Sequence, residues 1–314
     1  MNETCKRTTI GGQALIEGIL MIGPVKKAIA VRQPDGDIAL EYLNQKPPTF
    51  WEKIPFIRGS IKLVRQLILG TRALMRSAEI SLDEEAEETA EAETKTSFWD
   101  KHSDVALTLT AIFGLAFSIL IFILLPNVIV DLIRKLAGIE LDGSASQQLW
   151  LTLIEGIIRV IIFLVYLWIT SKMKDIKRVW QYHGAEHKTI FCYESGKPMT
   201  VENAREFTRF HPRCGTSFMF LVMIISVLVF SLVGWRVWYL NLIFRLLLLP
   251  VVAGISYEII RWAGRYDNAL TAAISKPGLW LQRLTTKEPD DSMLEVAICA
   301  MEAVIPEDKT SDIW

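Results

Sequence analysis

Four stretches of this chain are apolar almost without interruption. Residues 105–125, VALTLTAIFGLAFSILIFILL, carry no charge, over the ~20 residues a helix needs to cross a hydrocarbon core. Residues 216–235 form a second uncharged run, and 149–169 and 237–257 are nearly as apolar but hold Glu155, Arg159 and Arg245. The pattern predicts four transmembrane helices over these ranges. Buried core helices are the alternative, but four blocks of full spanning length seldom occur together in a soluble chain.

The segments between the blocks read differently. Residues 10–24 are punctuated by glycine and predict extended chain. The next run, KAIAVRQPDGDIALEYL, alternates around Pro34-Asp35-Gly36-Asp37 and predicts a β-hairpin. Prolines 47, 48 and 55 then break the chain. Residues 57–80 predict an amphipathic helix, with Ile57, Ile61, Val64, Leu67 and Ile68 on one side and Arg58, Lys62, Arg65, Arg72 and Arg76 elsewhere. Such a helix suits a membrane surface or packs on a neighbouring domain. The acidic run DEEAEETAEAETKTS lacks aromatics and predicts a solvated linker over 83–100. Thr200 caps a short helix that Pro212 stops, and Ser292-x-x-Glu295 predicts a capping box for a tail helix.

The expected fold is therefore an integral membrane protein, mainly α-helical, with a small α+β cytoplasmic portion. That portion is built from residues 1–82, the 171–215 loop and the 258–314 tail, none large enough to bury a good core alone. Charge sets the orientation. The 126–148 loop carries two basic residues, Arg134 and Lys135, whereas the 171–215 loop carries nine. With four spans, this bias puts that loop and both termini in the cytoplasm. Inside the spans, Glu155 and Arg159 stand four apart and can pair, while Arg245 lies mid-span. They read as a satisfied ion pair or as a transport or proton path.

Composition adds exclusions. A net charge of −1 argues against a nucleic-acid partner, while 51% hydrophobic residues and a mean hydropathy of +0.30 fit a membrane protein. Cys5, Cys192, Cys214 and Cys299 are too dispersed for a disulfide framework. The N-terminal residues lack an apolar core, so no cleavable signal peptide is expected.

Chemistry concentrates in one loop. His183, Glu186 and His187 form the pattern H-x-x-E-H, which places two imidazoles on one helix face with a carboxylate beside them. The pair can ligate a divalent metal, zinc foremost, with Glu186 as general base on a bound water. His211 and Cys214, in HPRC, supply further ligands, and Glu17 and Glu258 are other candidates to complete the site. If His183, His187, His211 and Cys214 all bind, the site closes and is structural; one open position makes it catalytic. Without a metal, the histidines are ordinary helix residues. Lys188, Arg205, Arg209 and Arg213 surround the cluster in sequence and read either as the charge bias alone or as a site for an anionic group. His102 is assigned no role.

Several segments together carry a resemblance: GGQALIEGILMIGP, RGSIKLVRQLILGTRALMRSA, YHGAEHKTIFCYESGKPMTVENA with HPRCGTSF, and PGLWLQRLTTKEPDDSMLEVAICAM. The chain resembles the YqhQ-like bacterial integral membrane proteins, a family of unknown function described as predicted metal-dependent enzymes. The resemblance implies a multi-pass protein of the bacterial cytoplasmic (inner) membrane and names no substrate. The functional expectation is a metal-dependent hydrolase at the cytoplasmic membrane surface, with membrane lipid as partner and further membrane proteins or a second copy left open. The alternative is a non-catalytic scaffold or assembly factor held by a structural metal clip.

Overall fold

The structure, a computed structural model, describes residues 7–45, 47, 49–90, 103–140, 142–234, 238–266, 268–308 and 311–312. Cys5, His102 and the acidic residues 91–97 lie outside them. Near the N-terminus, β1 (Gly11–Leu15), β2 (Gly18–Ile22), β3 (Lys27–Arg32) and β4 (Ile38–Leu43) form an antiparallel meander in sequence order. The hairpin expected over 27–43 is β3–β4, turned at Gly36 with φ +94°. The extended glycine-rich segment is a hairpin too, β1–β2, and its turn puts Glu17 at φ +49°.

Both faces of the sheet are covered, which explains why β2 and β3 read as continuous apolar runs. Leu20, Ile29 and Val31 face the helix α1 (Ile57–Ala90), meeting Ala73 and Ile80. The other face carries small residues, Ala14, Ala28 and Ala30, beside Ile19 and Met21. That lets two helices approach closely: α5 (Lys174–Glu194) and α10 (Asp291–Val304). Segments far apart in sequence thus share one core. The short α6 (Val201–Arg205) packs there as well, with the Thr200 hydroxyl accepting from the Asn203 N–H at 3.3 Å.

Among the described residues, four helical segments are long and apolar enough to cross a membrane: Ile112–Leu136, Ala145–Thr170, Gly215–Val233 and Tyr239–Arg265. The first differs from the expected 105–125 in running on beyond Leu125 to Leu136. The chain runs through α2 (Ser103–Ile119), a π-helical turn at Leu120–Leu124, and α3 (Leu125–Leu136), with Pro126 in the first turn of α3. Proline lacks an N–H, so the carbonyl one turn earlier loses its partner. Arg159 replaces it, its Nε donating to the Phe122 carbonyl at 3.0 Å. Arg159 sits on α4 (Ala145–Thr170), and its Nη2 donates to Glu155 at 2.5 Å. Arg245, from α8 (Trp238–Arg265), grips the other Glu155 oxygen. The expected pair is a buried three-residue cluster on two helices. It is completed by α7 (Gly215–Val233), whose Ser226 hydroxyl accepts from Arg159 at 3.2 Å.

Three more local expectations change. The amphipathic helix extends into the acidic stretch as far as Ala90, since Ala and Glu are strong helix formers. It packs on the sheet and also crosses α8, where a Cβ on Gly59 would lie 3.0 Å from the Gly254 Cα. The tail helix is capped by Asp290 instead of Ser292. The Asp290 carboxylate accepts from the Met293 N–H at 3.0 Å, and Glu295 turns away to Arg32. A further helix, α9 (Ala269–Thr285), contains Pro277 and is not among the elements that the sequence pattern predicts.

Candidate metal centre

The centre forms where α5 passes between β1 and the segment leading into α7. His183, Glu186 and His187 share one face of α5, and Cys214 is the N-cap of α7. One ligand atom each from His183, His187 and Cys214 lies within 4.8 Å of the others, so the three can share one ion. Both imidazoles are oriented from behind by carbonyl oxygens, which only accept. His183 Nδ1 donates to the Thr285 carbonyl at 2.8 Å, and His187 Nδ1 donates to the Arg209 carbonyl at 2.5 Å. With Nδ1 turned to a carbonyl, Nε2 is the ring nitrogen left to face a ligand, the arrangement common in metal-binding histidines. His183 Nε2 stands 3.1 Å from the Cys214 sulfur. The sulfur also receives the Thr216 N–H at 3.4 Å, from the open first turn of α7.

His211 is buried nearby, its ring centroid 5.4 Å from that of His187, but it is outside the three-atom group. Gln282 grips its backbone on both sides, at 2.8 and 2.7 Å, and its Nδ1 accepts the Arg213 N–H at 3.3 Å. Burial, reinforced by His187, Arg213 and His183, pushes the His211 imidazole well below the usual histidine range.

Glu186 is buried against the start of β1, where its carboxylate accepts the Gly12 N–H at 3.0 Å. Burial raises its affinity for a proton, opposed by His183 and the Gly12 N–H. The strand comes this close because residue 12 has no side chain: a Cβ there would lie 3.1 Å from the Glu186 carboxyl carbon and 2.7 Å from the Leu20 carbonyl. Glu186, His187, His211 and Cys214 line a chamber of about 140 Å³ together with Thr8–Gly12 and Arg213. It has room for a small functional group and a few waters.

Two carboxylates considered for the site are engaged elsewhere. Glu17 pairs with Arg178 and receives the Tyr182 hydroxyl at 3.3 Å. Glu258 binds Arg58 at 2.5 Å and the Phe56 N–H at 3.1 Å, fastening the start of α1 to α8. The four basic neighbours also meet carboxylates. Lys188 and Arg209 pair with Glu288, Arg205 with Asp291 and Arg213 with Glu194. They hold the loop in place, with the Lys188 ammonium also donating to the Arg205 and Phe207 carbonyls at 3.0 and 2.8 Å. Gly12 and the Thr285 and Arg209 carbonyls were not foreseen. The Gly11-Gly12 doublet is a readable sign of close backbone approach, but a carbonyl leaves no mark in a sequence.

Comparison with known proteins gives the same family, under descriptions that name no activity. The chain is 37% identical over 293 residues to the uncharacterized protein YqhQ of Bacillus subtilis strain 168, covering 92% of this chain and 89% of that protein. No solved structure matches. The family model described as "Protein of unknown function (DUF1385)" matches residues 54–307, and the chain belongs to that family.

Proposed function

We propose that the protein is a metal-dependent hydrolase acting at the cytoplasmic face of a bacterial membrane. His183, His187 and Cys214 hold a divalent ion, zinc being the best match to two imidazoles and a thiolate. The observation that carries this reading is a three-ligand group, two of whose members, His187 and Cys214, line a chamber that the buried Glu186 also lines. Three protein ligands leave a fourth position for water or substrate. When bound, the ion makes water nucleophilic near neutral pH and polarises the group under attack. Glu186 would take a proton from the attacking water and return it to the leaving group as the scissile bond breaks. Gly12 orients the carboxylate through its N–H.

A structural clip is the second reading, and the His211 ring beside His187 favours it. Turning His211 Nε2 to the ion would close the tetrahedron and serve a scaffold. The variant Glu186→Gln separates the two readings. The full chain is purified in detergent, its metal measured by mass spectrometry, and hydrolysis screened on a panel of aryl esters, amides and phosphoesters. A hydrolase retains stoichiometric metal in Glu186→Gln while turnover falls about 10²–10⁴-fold. A clip tolerates that change. Absence of metal from the wild-type protein, unaltered by His183→Ala/His187→Ala, sinks the centre altogether.

A further inference from the structure

A second cavity, of about 430 Å³, lies beside the chamber, and Arg213 lines both. Its guanidinium stands where the two meet, held by Glu194 at 2.5 Å and by the Thr8 carbonyl at 3.0 Å. The cavity wall is of two kinds. Phe191, Ile260 and Leu279 make one part apolar, while Arg7, Arg213 and Lys276 bring positive charge. Glu194 is the carboxylate in the lining, and Arg213 and the Thr8 N–H already engage it. The lining residues from Ile260 to Tyr266 belong to the C-terminal end of the apolar helix Tyr239–Arg265 and the residue after it, where a helix of that length would reach the headgroup layer of a bilayer.

We infer that this cavity binds an anionic amphiphile drawn from the membrane: a molecule with a phosphate-bearing head and a hydrocarbon portion. Its size falls within the range of small-molecule sites, whereas the adjoining chamber admits only a functional group. The phosphate lies toward Arg7 and Lys276, the hydrocarbon lies along Ile260 and Leu279, and the far end of the head reaches past Arg213 to Glu186. The role as substrate rests on the hydrolase reading; the binding does not.

Short-chain phosphatidic acid, short-chain phosphatidylcholine and inorganic phosphate are titrated separately into the full chain in detergent, with bound metal measured on the same samples. Two variants accompany the wild type: Lys276→Glu, and Ala272→Trp, which fills the cavity from an exposed lining position. Saturable binding of phosphatidic acid is expected, about fivefold weaker in Lys276→Glu and abolished in Ala272→Trp, with little binding of the other two probes. Phosphate binding as tight as phosphatidic acid would show a site for soluble anions and overturn the amphiphile. Phosphatidic acid binding that ignores both variants, or no binding at all, also overturns the inference. Bound metal without lipid binding leaves the hydrolase reading standing, and lipid binding without metal does the reverse.

Discussion

Replacing Glu155 with glutamine tests whether the four apolar helices enclose a true interior. Glu155 is 1% exposed, and Arg159 and Arg245 are 6% and 5% exposed. One carboxylate stands between two guanidiniums, each hydrogen-bonded to a different oxygen. In Glu155→Gln the negative charge disappears and one acceptor becomes an N–H₂ aimed at a guanidinium. Two buried cations are then left without the anion between them. Breaking a buried ion pair by removing one partner costs about 3–5 kcal/mol, mostly because the remaining charge is uncompensated. The measurement is equilibrium unfolding in mixed micelles, followed by tryptophan fluorescence. Adding Arg159→Met to the Glu155→Gln background removes one of the two cations, so it should cost less there than in the wild type. The coupling expected for such contacting residues is about 0.5–3 kcal/mol. A loss of only about 1 kcal/mol for Glu155→Gln, the worth of an ordinary neutral hydrogen bond, would refute this reasoning. The cluster would then be hydrated, as a transport or proton path requires.

The centre supports further tests. Gly12→Ala should lower hydrolysis while metal stays bound, because its Cβ presses on the Glu186 carboxyl carbon, whereas Gly11→Ala meets nothing within 4 Å and serves as the control; equal turnover in both refutes the role of Gly12. With cobalt in place of the native ion, Cys214→Ser should abolish the near-ultraviolet sulfur-to-metal absorption, and a surviving band would put the thiolate ligand elsewhere. His211 makes the chelated protein acid-labile. Its folded pKa is depressed, so below about pH 6.5 the unfolded chain takes up a proton that the folded chain refuses. Thermal stability should therefore fall as pH drops below that value, and His211→Gln should flatten the dependence.

Length and hydropathy identified the four apolar helices, and spacing identified the histidine face. A 3.6-residue period and a run of ~20 apolar residues are local properties, readable without neighbours. The β3–β4 hairpin was legible for the same reason, since Pro34 through Asp37 carry their own turn chemistry. Pro126 shows where local rules fail. The expected span closes at Leu125, yet the helix continues through Pro126 to Leu136, and Arg159, 33 positions away in sequence, donates to the Phe122 carbonyl that the proline leaves without an N–H.

The centre divides along the same line. His183, Glu186 and His187 were set by the sequence, because one turn of helix places them together whatever surrounds it. Choosing among His211, Cys214, Glu17 and Glu258 as companions was a matter for the tertiary structure. Arg178, Arg58 and Gln282 engage Glu17, Glu258 and the His211 backbone, while the N-cap geometry of α7 turns Cys214 toward His183. Spacing in a chain constrains side chains only within a turn or two. Beyond that, which groups meet depends on how the sheet, α5 and α7 pack, and on which carboxylates other cations have already neutralised.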